Sequence, residues 1–237
     1  MTTSPAPRWQ HYVLLHGERL REFWADHLGD RERHVLFGLG RGFDPRMCMA
    51  LRVLIEAGGS GHRDVIALDF REGAASPSLL HQGLVDANWS ALQALVQGRG
   101  QVTTRPIEFW STEGRRVSSQ NARDLFVSAE SFGGYTDVVI DISAMPRSVF
   151  FPLIARTLYL LDGLRSAAAP RTNLHLLVAD DPALDAEIRE EGVDEKAEFV
   201  ASFGGGFDEE AIQTPKVWIP LLGERREVEP DDHAVVR

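Results

Sequence analysis

Asp137-Val138-Val139-Ile140-Asp141-Ile142-Ser143 decides the fold. Its apolar residues are β-branched and run without alternation, which marks a strand buried on both faces. Ala144-Met145-Pro146-Arg147 then turns the chain. Proline cannot donate to a strand ladder but suits the first turn of a helix. Residues 148–161 follow as a helix that is apolar on nearly every side, as a helix packed between a sheet and other helices should be. With Arg156 inside it, this stretch is too short to span a bilayer.

The same strand–turn–helix unit recurs upstream. Residues 34–39 read as a buried strand that runs into Gly40-Arg41-Gly42-Phe43-Asp44-Pro45-Arg46. A helix follows, with Asp44 as N-cap, Pro45 in its first turn, Gly58 closing it, and Met47, Leu51, Leu54 and Ile55 as its apolar face. Residues 64–70 form a second strand with Asp69 near its carboxyl end, 79–96 a helix, and 102–110 a third strand. Pro106 assigns that third strand to an edge or a bulge. A surface helix is expected over 118–130, a fifth strand over 173–179, and a charged helix over 184–191. At the start, 9–28 reads as a helix with Leu14, Leu15, Leu20 and Phe23 in one stripe. Near the end, a strand is expected over 216–222 and a loop at Gly204–Phe207.

Strands alternating with helices pair in parallel through right-handed crossovers. The expectation is an α/β, Rossmann-like, doubly wound and mostly parallel sheet with helices on both faces. Residues 1–30 are expected to pack on it as a helical segment, 31–223 to form the domain, and 224–237 to be a charged tail.

Composition narrows the partners. The 237 residues carry a net charge of -10, against the basic face that general nucleic-acid binding requires. A single cysteine, Cys48, rules out an internal disulfide framework and fits a reducing compartment. Residues 1–8 lack a basic start followed by an apolar run, so no signal peptide and a cytoplasmic location are expected.

The two Pro-Arg turns carry the functional reading. In doubly wound sheets, ligands bind beyond the carboxyl ends of the strands, where strand order reverses. In the commonest orders the strand at 34–39 lies beside the strand at 137–143, so Arg46 and Arg147 would face one crevice. Helix starts present free N–H groups, and guanidinium forks suit phosphate or carboxylate. Gly40 and Gly42 would admit a ligand close to the backbone, Ser143 would donate a hydroxyl, and Phe43 would stack on a base or cover the pocket. Asp44, Asp69 and Asp141 complete the candidate ligand-binding set.

Asp141-Ile142-Ser143-Ala144-Met145-Pro146-Arg147, entering an apolar helix, resembles the fourth-strand motif of CARF domains. That motif runs acid, aliphatic, Ser/Thr, three mostly small residues, then Lys/Arg. These domains are Rossmann-like sensors of cyclic oligonucleotides in prokaryotic antiviral defence. The resemblance implies that Ser143 and Arg147 touch ligand phosphates, that residues 40–46 form the other wall, and that the domain pairs as a homodimer or with an effector.

Two enzyme readings stand beside the sensor. An S-adenosylmethionine-dependent methyltransferase would use the glycine loop of residues 35–42 and Asp69 as its ribose acid. A nucleotide or NAD hydrolase would draw on the strand-end acids Asp44, Asp69, Asp141, Asp180 and Asp181, which also serve as helix caps. Catalytic residues and cofactor stay open at this level. Cys48 reads as a buried thiol, Trp89, Trp110 and Trp218 as core or interface residues, and the eight histidines show no metal-ligand spacing.

Overall fold

Strand β1 (Val35–Arg41) takes the centre of a five-stranded, all-parallel sheet because it is apolar on both sides. Val35, Phe37 and Leu39 enter one core, and Leu36 enters the other. Beside it in the computed structural model run β2 (Arg63–Arg71) and β3 (Val102–Glu108) on one flank, and β4 (Asp137–Asp141) and β5 (Asn173–Leu177) on the other. The order is β3-β2-β1-β4-β5, every pair parallel. The structure describes residues 12–74, 76–164 and 172–185.

Helices cover both faces. Against one face pack α1 (Glu18–Gly29), α2 (Met49–Glu56) and α3 (Gln82–Val96), through Trp24, Leu28, Leu51, Leu54 and Leu92. Against the other pack α4 (Ser118–Arg123) and α5 (Arg147–Leu164), through Ala122, Val149 and Leu153. The chain is thus a doubly wound α/β fold. Each large buried side chain contributes roughly 1.5–3 kcal/mol. Such burial, rather than helix propensity, holds a six-residue helix like α4, which is too short to persist alone.

Several boundaries differ from those expected. Helix α1 starts at Glu18, after Gly17 at φ 60°, and Leu14 upstream is exposed. Trp24 and Leu28 carry its buried face, with Leu20 and Phe23 packed alongside. The stretch expected as a helix over 118–130 divides into α4 and a 3-10 turn, Ala129–Phe132, because Phe126 between them and Phe132 at the end of the turn enter the core. The 79–96 helix starts later, at Gln82, behind a 3-10 turn, Pro77–Leu79. Pro106 does lie on an edge strand, β3. After β5 the short helix α6 (Pro182–Asp185) begins, capped by the Asp181 carboxylate, which accepts from the Ala183 and Leu184 N–H groups. The strand expected at 216–222, the Gly204–Phe207 loop and the 224–237 tail lie outside the described residues. Among the described residues, no helix is long and apolar enough to cross a membrane.

Candidate functional site

From β1 the chain winds outward to β2 and β3, and from β4 outward to β5, so strand order reverses between β1 and β4. Their carboxyl ends carry the two Pro-Arg turns, and the turns touch. A Cβ on Gly40 would sit 2.4 Å from the Ala144 carbonyl oxygen and 2.9 Å from the Phe70 ring. Gly40 lies inside β1, and its missing side chain admits the neighbouring turn and Phe70 instead of a ligand. Gly40→Ala is therefore expected to pry the two turns apart and lower stability by about 1–3 kcal/mol. A urea titration checks this, and an unchanged midpoint would show that the turns can separate freely.

The β1 turn is internally satisfied. Asp44 accepts from the Arg46 backbone N–H at 2.8 Å, capping a 3-10 turn, Pro45–Cys48, that leads into α2. The same carboxylate accepts from Arg46 Nε at 3.0 Å and Nη2 at 2.8 Å. Arg46 is buried, so its guanidinium braces its own turn and does not project into an open crevice as expected. The Asn88 amide donates to the carbonyls of Gly42 and Asp44, tying the turn to α3. Phe43 packs on His81, with ring centroids 4.7 Å apart.

The β4 turn is arranged differently. The Asp141 carboxyl is buried, and its Oδ1 accepts from the Ser143 N–H and hydroxyl. Its Oδ2 is buried without a hydrogen-bond partner. Burial pushes the Asp141 carboxyl up to about 6, Ser143 pulls it down, and the nearby Asp44 charge adds to the rise. The Ser143 hydroxyl donates to Asp141 and accepts from the Ala179 N–H at 2.8 Å, so it buttresses the turn and is not free to donate to a ligand. Arg147 opens α5 and is exposed, and its side chain makes no hydrogen bond or ion pair among the described residues.

At the end of β2, Asp69 lies opposite Arg41 of β1. Its Oδ1 is 3.4 Å from Arg41 Nη1 and its Oδ2 is 2.7 Å from Arg71 Nη2. Arg41 also lies over the Trp89 ring, 4.8 Å from the centroid. Asp69, expected as a ribose acid, thus has both oxygens facing cations. Arg41 and Arg71 belong to the site although the sequence reading passed over them. For Arg41 the signal was there: a charged residue closing an otherwise apolar strand one position after a glycine.

No family model matches this chain, and no curated protein matches it. The site therefore rests on its own geometry. Arg41, Arg46, Arg71 and Arg147 share this end of the sheet with Asp44, Asp69 and Asp141, and Glu72, Asp180 and Asp181 follow the strand ends there as well. Two hollows among the described residues lie elsewhere. One is apolar, between the sheet and α5, and the other is at the amino ends of β2 and β3, beside Asp64 and Tyr135. Cys48, also near this end, is buried, and burial lifts its thiol to about 11, so it is a core residue and not a nucleophile.

Proposed function

We propose that this chain binds a phosphate-bearing nucleotide at the junction of the β1 and β4 turns, as a regulatory or defence-associated domain. One observation carries the reading: the reversal point of the sheet presents an exposed arginine, Arg147, at the start of an eighteen-residue helix and without a partner among the described residues. Arg41 and Arg71 flank the junction on the β2 side. An anion there meets the exposed Arg147 guanidinium and the positive end of a helix. The resemblance of residues 141–147 to the CARF motif suggests a cyclic oligonucleotide as the ligand and a second copy of the chain as the partner. Ser143 serves this reading by positioning Asp141 and the turn, and Arg46 by bracing the opposite wall.

A thermal-shift panel of cyclic oligonucleotides, ATP, NAD and S-adenosylmethionine tests the proposal. A ligand at about 100 times its Kd adds about 2.7 kcal/mol of stability. Arg147→Ala is expected to remove the response to the phosphorylated ligand and leave the unliganded melting temperature unchanged, because the side chain is exposed. Equal melting in all four ligands sinks the reading. The methyltransferase alternative is weakened by Asp69, whose oxygens are engaged by Arg41 and Arg71.

One observation favours the hydrolase alternative. Asp141 is a buried carboxyl with an unpartnered oxygen, pushed up by burial to about 6, the character of a general acid or base. Turnover of the bound nucleotide, followed by chromatography and lost in Asp141→Asn, distinguishes an enzyme from a sensor.

A further inference from the structure

At the opposite, amino-terminal end of the sheet, three elements bring nitrogen and oxygen donors to one point. His27 of α1 and His175 of β5 place their Nε2 atoms 2.8 Å and 2.9 Å from the same oxygen, Oδ1 of Asp137 at the start of β4. The three ligand atoms lie within 4.8 Å of one another. We propose that His27, Asp137 and His175 bind a divalent transition-metal ion that fastens α1 to the sheet, independently of the nucleotide site.

The geometry favours an ion over three N–H groups. A third donor, the Asn173 amide, also lies 2.9 Å from Oδ1. A carboxylate oxygen offers about two lone-pair directions, so three separate donors overfill it. A cation satisfies all of these groups at once. Zinc holds nitrogen and oxygen ligands at roughly 2.0–2.2 Å, which leaves the ligands of a tetrahedral site roughly 3.3–3.6 Å apart, so the contacts to Oδ1 found here need open by only about half an ångström to admit it. The oxygen and nitrogen of an asparagine amide are interchangeable by a flip. Turned over, Asn173 supplies an oxygen as fourth ligand, completing a two-nitrogen, two-oxygen set suited to zinc or another ion of its class.

The surroundings fit such a site. The other Asp137 oxygen, Oδ2, is held by the Thr136 hydroxyl at 2.7 Å and faces Arg33 Nη1 at 3.4 Å, which orients Oδ1 towards the histidines. Arg33 opposes a cation, but it also faces the Asp30 carboxylate at 3.8 Å. With both acids ionised, a divalent ion leaves one net positive charge, less than a site of three neutral histidines carries. Phe23 and Trp24 pack around both imidazoles and exclude water from one side.

Calorimetric titration of the full-length, chelator-treated protein with zinc, paired with elemental analysis of the protein as isolated, tests the proposal. One equivalent is expected to bind, with a rise in melting temperature. His27→Gln and His175→Gln should each weaken binding at least about 100-fold, beyond the loss typical of an outer-shell partner. His62→Ala, which removes one ring of the separate His34–His62 stack, should leave binding unchanged. Cobalt substitution should give a visible absorption band that both glutamine variants lack. No uptake, or uptake insensitive to His27→Gln and His175→Gln, overturns the proposal and leaves a hydrogen-bonded carboxylate. Nucleotide binding is read separately through Arg147, so either idea can fail alone.

Discussion

Asp137→Ala is expected to lower the free energy of unfolding by about 3–5 kcal/mol, the scale found when one partner of a buried charge network is removed. Asp137 is fully buried, and its two oxygens face His27, His175, Asn173, Thr136 and Arg33. Burial alone would raise its carboxyl, but the hydrogen bonds from His175, Asn173, Thr136 and His27 outweigh that and hold it below the ordinary carboxylate range. Removing it leaves the buried Arg33 guanidinium with only the His27 carbonyl and the distant Asp30 carboxylate, beside imidazoles that have lost their acceptor. The same residue joins α1, β4 and β5, so the loss spreads across three elements instead of one contact. Domains of this kind are stable by only about 5–15 kcal/mol, so the substitution removes a large share of the total. Urea denaturation of Asp137→Ala and Asp137→Asn measures it, with the asparagine variant in between because it keeps one acceptor. A loss under about 1 kcal/mol for alanine would mean that the cluster is solvated and holds nothing together.

The architecture was legible because it depends on local patterning. An unbroken β-branched run at Val138–Ile140 and a capped turn at Asp44-Pro45 leave few alternatives to a buried parallel strand and a following helix. The adjacency of β1 and β4 followed from the commonest winding order, and the parallel pairing of Val35 with Asp137 bears it out. Side-chain commitments were not legible, because they are set by three-dimensional competition. Arg46 and Arg147 look equivalent in sequence, each following a proline at a turn. Only Arg46 has an aspartate two residues back at the right angle to chelate its guanidinium. In the β4 turn the corresponding position is Met145, and Asp141, the nearest acid upstream, has its Oδ1 taken up by Ser143. Gly40 and Gly42 were likewise indistinguishable until Ala144 and Phe70 were found against the first and nothing within 4 Å of the second. The grouping of His27, Asp137 and His175 spans 148 residues of sequence, so no spacing rule could reveal it.

Asp141→Asn is expected to stabilise the protein near neutral pH while removing whatever proton chemistry the site performs. The carboxyl, raised to about 6 in the folded chain, lies above its unfolded value near 3.9, so the folded state holds the extra proton between those limits. The stability this group provides is complete below the unfolded value and is lost as pH rises through about 6. A shift of two units corresponds to about 3 kcal/mol of strain on the ionised form at neutral pH. Asparagine carries no such penalty. Its carbonyl still accepts from Ser143, but its amide stands where Oδ2 now lacks a partner, at a cost of about 1–3 kcal/mol. The balance is a gain of up to about 2 kcal/mol at about pH 8, turning into a loss of about 1–3 kcal/mol at about pH 4. Unfolding curves at both pH values separate this from the contrary case. A variant less stable than the parent at about pH 8 would mean that Asp141 is ionised there and paired with a cation. The carboxyl would then be a brace like Asp44, and the hydrolase reading would lose its acid while the anion site around Arg147 kept its case. A variant that is more stable yet inert toward bound nucleotide would instead mark Asp141 as a group held in an unfavourable state for the sake of chemistry.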